Sequence, residues 1–194
     1  MIPGVILAAG SSVRLAHPKQ LLIWRGRPLL QHVIEAAAAS NLAELVIVLG
    51  HEAGRISDAL MLPEGARLAH NPDYLSGQAS SLRVGLNALP DDAHAAAILL
   101  SDNPHVTAAL INRVLDEFDP SSAPVVRPTF GEVPGHPVVV ARSEWERWKL
   151  SGDEGARSLL QGADVRELSV DGALFADVDT WDDYYRALLE EERP

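Results

Sequence analysis

Three short stretches carry side chains whose types and spacing suit chemistry on phosphate. The first is Ala8-Ala9-Gly10-Ser11-Ser12-Val13-Arg14-Leu15-Ala16-His17-Pro18-Lys19, directly after an apolar run. Gly10 permits a tight turn and close backbone approach. Ser11 and Ser12 add hydroxyls, and successive backbone N–H groups can surround an anion. Arg14 and Lys19 bring two fixed positive charges, and Pro18 restricts the chain just before Lys19. This is the composition of a polyphosphate cradle; it is also that of a polar strand-to-helix connection. Neither G-x-x-x-x-G-K-[ST] nor G-x-G-x-x-G occurs in it.

The second stretch is Leu99-Leu100-Ser101-Asp102-Asn103-Pro104. A carboxylate just past an apolar strand sits at the rim of a site, and its hard oxygens suit Mg²⁺, which takes one or two carboxylates plus substrate phosphates. The alternative is an Asx turn or an N-cap before the helix expected at Thr107. The third is Asp177-Val178-Asp179-Thr180-Trp181-Asp182-Asp183. On extended backbone Asp177 and Asp179 face one side and can complete a metal site with Asp102. Alternatively Asp179 or Thr180 caps the last helix, with Asp182 and Asp183 as solvated charges in its first turn.

Two further loops are conspicuous. Asn71-Pro72-Asp73-Tyr74-Leu75-Ser76-Gly77-Gln78-Ala79-Ser80-Ser81 precedes a helix and offers Gln78, Ser80 and Ser81 to a sugar or base, or is simply a capped loop. Gly131 to Pro137 is turn-dense and holds His136, a residue type more often structural than catalytic when alone. The other histidines lack metal-ligand spacing. No G-x-S-x-G elbow supports a hydrolase triad. Trp145 and Trp148 read as a packing face.

The elements that must position these residues follow from periodicity. Apolar runs at Val5–Ala9, Leu45–Leu49, Ala66–His70, Ala95–Leu100, Ala123–Arg127, Val138–Val140 and Val165–Val170 read as strands. Helices are expected over Pro28–Ser40, Ala53–Leu60, Ser80–Leu89, Thr107–Phe118 and Trp181–Glu191. The alternation predicts an α/β, Rossmann-like, mostly parallel sheet flanked by helices on both faces. Pro128 to Leu150 breaks the rhythm, and an insertion or antiparallel excursion is expected there. In such sheets ligands collect beyond the carboxyl ends of the strands, where all the stretches above fall.

Composition bounds the rest. The chain has 194 residues, 47 % apolar and 22 % charged, which predicts a single domain over 1–194. Zero cysteines exclude disulfides, thiolate metal sites and cysteine nucleophiles. Sixteen Lys+Arg against 27 Asp+Glu give a net charge of −11, which argues against nucleic acid as the main partner. No run approaches the ~18 apolar residues of a membrane span. The N-terminus shows no basic leader, so a cytoplasmic protein is expected.

Taken together, L-A-A-G-S-S-V-R-L-A-H-P-K-Q-L-L, the aspartate of S-D-N-P, N-P-D-Y-x-x-G-x-x-S-S-L, G-H-P-V-V-V, G-D-E-G-A-R-S-L-L and D-V-D-T-W-D-D-Y resemble the MobA-like nucleotidyltransferases, and most of all their molybdenum cofactor cytidylyltransferase branch. The resemblance implies Mg²⁺-dependent transfer of CMP from CTP to the terminal phosphate of a molybdopterin-type acceptor, with release of pyrophosphate. It also implies an apo-molybdoenzyme or its chaperone as a protein partner. By position, Leu7, Ala8, Ala9 and Gly10 would border the base, with Ala9 resembling the pyrimidine-using members. Ser11, Ser12, Arg14 and Lys19 would hold the triphosphate, and Asp102 with Asp179 or Asp177 the metal. Asn71, Gln78, Ser80 and Ser81 would lie toward the nucleotide, Asn103 and His136 toward the acceptor. The chain departs from the usual pattern at Asn103, where Gln is common, at Ala16 for Gly, at Gln78-Ala79 for Met-Gly and at Trp181 for Pro. Proteins with this motif set include a nicotine-blue oxidoreductase, so a redox role or a non-catalytic nucleotide-binding module are the competing readings. The first would show in a flavin spectrum or NAD(P)H oxidation, the second as CTP binding without pyrophosphate release.

Overall fold

A run of five fully apolar residues has no polar face to offer water, so it must be covered on both sides. The computed structural model, which describes residues 1–148, 150, 160, 162–171, 178 and 180–191, shows this for the central strands. Strands β1 (Gly4–Ala8) and β4 (Leu45–Leu49) are buried at every position. Between them lie a short hairpin, β2 (Ile23–Trp24) and β3 (Arg27–Pro28), and helix α1 (Leu29–Ala38). Then follow α2 (Ala53–Asp58), β5 (Ala66–His70), α3 (Gln78–Asn87), β6 (Ala95–Leu100) and α4 (Ala108–Asp116). The second half runs β7 (Val125–Phe130), β8 (Val133–Pro134), β9 (Val138–Ala141), α5 (Arg142–Trp145), β10 (Val165–Ser169) and α6 (Trp181–Glu191).

The main sheet has the order β10-β7-β9-β6-β1-β4-β5, with β8 hairpinned onto β7. β6, β1, β4 and β5 are mutually parallel. β9 inserts antiparallel between β6 and β7, and β10 pairs parallel with β7. The expected antiparallel excursion is therefore the β8–β9 return, and the fold class is as the alternation implies. All carboxyl ends except those of β8 and β9 point to one rim.

Each face has its own core. On one, Leu30, Val33, Ile34 and Ala37 of α1 and Ile111 and Val114 of α4 cover Ile6, Ile47 and Leu99. On the other, Leu82 and Leu86 of α3, with Trp145, cover Val5, Val46, Ile98 and Val140. A Cβ on Gly85 would stand 2.4 Å from Val5 Cγ1, so only glycine lets α3 lie this close to β1. A third, smaller core joins Leu15, Leu22, Trp24, Leu29 and Val178, with Tyr184 and Leu188 of α6 against it. The hairpin that supports this cluster was not legible as strands, because two-residue strands carry no period.

Candidate active site

The first loop leaves β1 at the rim and returns through a 3₁₀ turn at Lys19–Leu21. Its left-handed residues are Ser12 and Ala16, with φ of 49° and 48°. The turn attributed to Gly10 is thus made by its neighbours. A Cβ at Gly10 would meet nothing within 4 Å, so this glycine leaves open space above the strand end. Ser12 Oγ accepts the backbone N–H of Lys19 at 3.1 Å and closes the loop. Gln20, only 1 % exposed, donates from Nε2 to the carbonyls of Ala8 (2.8 Å) and Gly10 (3.1 Å). Its Oε1 is buried with no hydrogen-bond partner.

Lys19 projects across the rim to Asp102, with Nζ 2.5 Å from Oδ2. Asp102 is itself 8 % exposed. It does not cap α4: Thr107 does, its hydroxyl accepting from the N–H of Leu110 at 3.1 Å. The carboxylate is therefore paired with the Lys19 ammonium rather than spent on a helix end.

A cleft of about 340 Å³ opens over these groups. Leu7, Ala9, Gly10, Ser11, Lys19, Gln78, Ser81 and Asp102 line it, so these eight of the expected site residues meet. Tyr74, Leu75, Gln20, Leu100 and Ser101 also line it and were not singled out by sequence. A Cβ on Gly50 would lie 2.7 Å from Tyr74 Cβ and 2.9 Å from Ala9 O, so glycine there lets Tyr74 approach the first loop. His51 Nδ1 lies 3.3 Å from the Tyr74 hydroxyl. Arg14 and Ser12 line an adjoining hollow of about 290 Å³, which shares Gly10 and Lys19 with the cleft.

Other expected residues are placed differently. Ala8 is buried under the loop and contributes its carbonyl to Gln20. Asn71 is buried and donates to Ser80 Oγ (2.8 Å) and Ser81 Oγ (2.9 Å), while its Oδ1 accepts from Asp73 N–H (3.0 Å). Ser80 Oγ donates to the carbonyls of Gly77 (2.8 Å) and Asp73 (3.1 Å). Asn71 and Ser80 therefore shape the loop from behind, and Ser81 is the member of the trio that reaches the cleft. Asn103 lies beside the cleft rather than in its lining, with its carbonyl accepting Val106 N–H at 3.2 Å. His136 lines a separate hollow of about 150 Å³ with Arg127 and Leu160. Burial pulls its imidazole down to about 4, against the raising effect of Asp102 and with further lowering by Arg127.

Asp177 and Asp179 lie outside the described residues, as does most of the Gly152–Leu160 motif. Thr180 and Asp183 form the cap of α6: Thr180 N–H and hydroxyl donate to Asp183 Oδ2 at 2.9 and 2.7 Å, and Asp183 N–H returns to Thr180 Oγ1 at 3.2 Å. Asp183 is thus a partly buried capping residue, not a solvated charge. Among the described residues no three His, Cys, Asp or Glu gather as a metal cluster, and no helix is long and apolar enough to cross a membrane.

The glycine-opened loop, the lysine and the rim aspartate stand in the order that the sequence resemblance requires, and residues 4–170 match the MobA-like NTP transferase domain. The chain belongs to this family. Among relatives of the MobA-like chain, the nicotine blue oxidoreductase of Paenarthrobacter nicotinovorans is 32 % identical over 96 % of both chains. The bifunctional protein GlmU of Burkholderia thailandensis is 35 % identical over 70 % of this chain, which spans only 30 % of GlmU. The crystal structure of Rv0371c from Mycobacterium tuberculosis superposes with a TM-score of 0.85 at 35 % identity, covering 97 % of each chain. Rv0371c has also been crystallised as a complex with manganese, which superposes at 0.81.

Proposed function

We propose that this MobA-like protein transfers CMP from CTP to the terminal phosphate of a phosphorylated pterin acceptor of the molybdenum-cofactor type, releasing pyrophosphate. The observation that carries the reading is the convergence of the Gly10 loop, Lys19 and Asp102 on one cleft. The support for CTP is Ala9 in the cleft wall, and the support for the acceptor is the motif set of the whole chain.

In this reaction an oxygen of the acceptor phosphate attacks the α-phosphorus of CTP. A new P–O–P bond forms, the bond between the α-phosphorus and its bridging oxygen breaks, and pyrophosphate leaves with the electron pair. The attacking oxygen is already anionic at neutral pH, so no strong base is needed. The obstacle is repulsion among two anionic substrates and a chain of net charge −11. Lys19 at the rim and Arg14 beside it bring positive charge to the triphosphate, and the open backbone above Gly10 lets the phosphates approach closely. Such preorganised charge acts where charge develops in the transition state.

Asp102 fits a divalent cation: it is an enclosed carboxylate that already attracts an ammonium, and Mg²⁺ takes one or two such oxygens plus phosphates. Asp179 or Asp177 would supply the second carboxylate. Bound there, Mg²⁺ supplies Lewis-acid neutralisation of the α-phosphate and the departing pyrophosphate. The manganese complex of the Mycobacterium relative supports a divalent-ion site in this group of proteins.

The test is pyrophosphate release with each of the four NTPs, with and without molybdopterin and Mg²⁺. Release confined to CTP, molybdopterin and metal together is expected; release with none of the combinations overturns the reading. A second reading, an oxidoreductase role, is favoured by the nicotine blue oxidoreductase relative. NAD(P)H oxidation with nicotine blue, without pyrophosphate release, would select it.

A further inference from the structure

The main sheet ends in two edge strands, β10 on one side and β5 on the other, and they are finished differently. β10 carries Arg166 and Glu167 side by side: Glu167 pairs with Arg127 at 2.5 Å, and Arg166 donates to Ser122 Oγ at 2.9 Å. Charges of this kind deter another strand from adding to an edge. β5 reads Ala66-Arg67-Leu68-Ala69-His70, and its one fixed charge does not guard the edge. The Arg67 guanidinium is drawn back to Glu44 Oε1 at 3.1 Å, just before β4, and to the carbonyl of Ala88 at the end of α3.

The backbone shows which groups this edge leaves open. Leu45 N–H donates to the Gly65 carbonyl at 3.2 Å and Asn71 N–H to the Leu49 carbonyl at 2.8 Å, so the odd-numbered residues of the segment face β4. Alternate residues then point N–H and C=O outward. These are Ala66, Leu68 and His70. The Ala66 N–H is taken by the Pro63 carbonyl at 3.1 Å, whereas the N–H and C=O of Leu68 and His70 have no partner among the described residues. Leu68 pairs with Ile47 of the α1-side core, so its side chain lies on that face, yet it is 40 % exposed. Met61, hydrogen-bonded through its backbone to Gln31 of α1, and Leu62 are exposed on the same face.

We propose that β5 is a dimer edge: a second copy of this chain adds its own β5 antiparallel to it, about a two-fold axis at Leu68. That axis sets Leu68 opposite the partner's Leu68 as a hydrogen-bonded pair, each donating to and accepting from the other. It also brings the His70 N–H to the partner's Ala66 carbonyl, on both sides of the axis. The two Leu68 side chains then meet on the α1 face, beside Met61 and Leu62. Pro63 and Pro72 bound the segment, so pairing stops after these residues and the isologous contact closes at two copies. Charge points to the same place. The whole chain has a net charge of −11 and repels its own copy, but from Pro63 to Pro72 Glu64 and Arg67 cancel, with His70 neutral. The interface is small, below about 1,200 Å², which sets the dissociation constant in the range of about 1–100 µM. Across the axis the carboxyl rims of the two sheets point in opposite directions, so both clefts stay open, whatever reaction they hold.

Sedimentation velocity of the full chain over about 1–200 µM is expected to show a reversible monomer–dimer equilibrium. Leu68→Lys sets two ammonium groups directly opposite each other and weakens association about 10- to 100-fold, with the melting temperature unchanged. Leu68→Pro removes an N–H that β4 does not use, so the chain still folds and the dimer is lost. Because the chain has no cysteine, Leu68→Cys places a single thiol at the axis. The Cα separation of about 5.5 Å in a hydrogen-bonded pair is within disulfide reach, so mild oxidation gives a covalent dimer. Arg67→Cys, one residue off the axis, does not cross-link. Three outcomes each overturn the proposal: a wild-type chain that stays monomeric over the whole range, a dimer that Leu68→Lys leaves intact, or equal cross-linking of Leu68→Cys and Arg67→Cys.

Discussion

The Lys19–Asp102 pair gives two measurable numbers that must move differently. The charges are 2.5 Å apart, with side chains 18 % and 10 % exposed. At an effective dielectric of about 20 their attraction is roughly 7 kcal/mol before desolvation, and desolvation of two enclosed ions cancels most of it. We expect a coupling of about 1–3 kcal/mol in a double-mutant cycle of Lys19→Met and Asp102→Asn, measured by urea unfolding. Lys19→Met leaves the enclosed Asp102 carboxylate without this ammonium, so the double variant regains part of the stability lost. Turnover behaves otherwise. Lys19→Met lowers kcat/KM by about 10²–10³-fold, the range for one preorganised transition-state contact. Asp102→Asn abolishes metal-dependent turnover, and the double variant stays inactive, because neutralising both ends restores neither a phosphate clamp nor a metal ligand. Coupling below about 0.3 kcal/mol would refute the ion-pair energetics. Recovery of turnover in the double variant would remove the pair from the chemistry.

Gln20→Leu strips donors from the Ala8 and Gly10 carbonyls; the expected cost is about 2–3 kcal/mol with weaker nucleotide binding, and a melting curve and titration within error of wild type would reject the role. Ala16→Gly relieves a left-handed alanine and should stabilise by up to about 1 kcal/mol, read as a rise in Tm. His105 is pulled down to about 4 by burial, with Arg25 and His32 adding to it, and His136 likewise by its burial. Between pH 4 and 6.5 the unfolded chain therefore binds more protons than the folded one, so stability is full above about 6.5 and falls as pH drops, by about 1.4 kcal/mol per pH unit for each histidine. His136→Gln should remove about one proton from that slope in denaturant titrations at stepped pH; an unchanged slope would show that His136 titrates normally.

The amino-acid sequence by itself determined the alternation of strands and helices. β4, β5, β6 and α6 occupy the ranges that periodicity assigned, because their apolar patterns are long enough to have a period and are closed by local signals such as Gly50 and Thr180. It also marked the Gly10 loop, Lys19 and Asp102, since glycine, a clustered cation and a carboxylate after a strand are local facts of chemistry. Tertiary structure alone decided which of these meet. Gln20 and Tyr74 are separated by more than fifty residues in sequence and share one cleft because β1, β4 and β5 lie side by side. Asn71 and Ser80 looked like ligand-binding residues and are instead braces, since a buried amide and hydroxyl must satisfy each other before anything else. Arg127 and Glu167 gave no signal at all: an arginine and a glutamate forty residues apart become a pair only when β10 takes its place beside β7, and strand order is a property of long-range packing that no local pattern encodes.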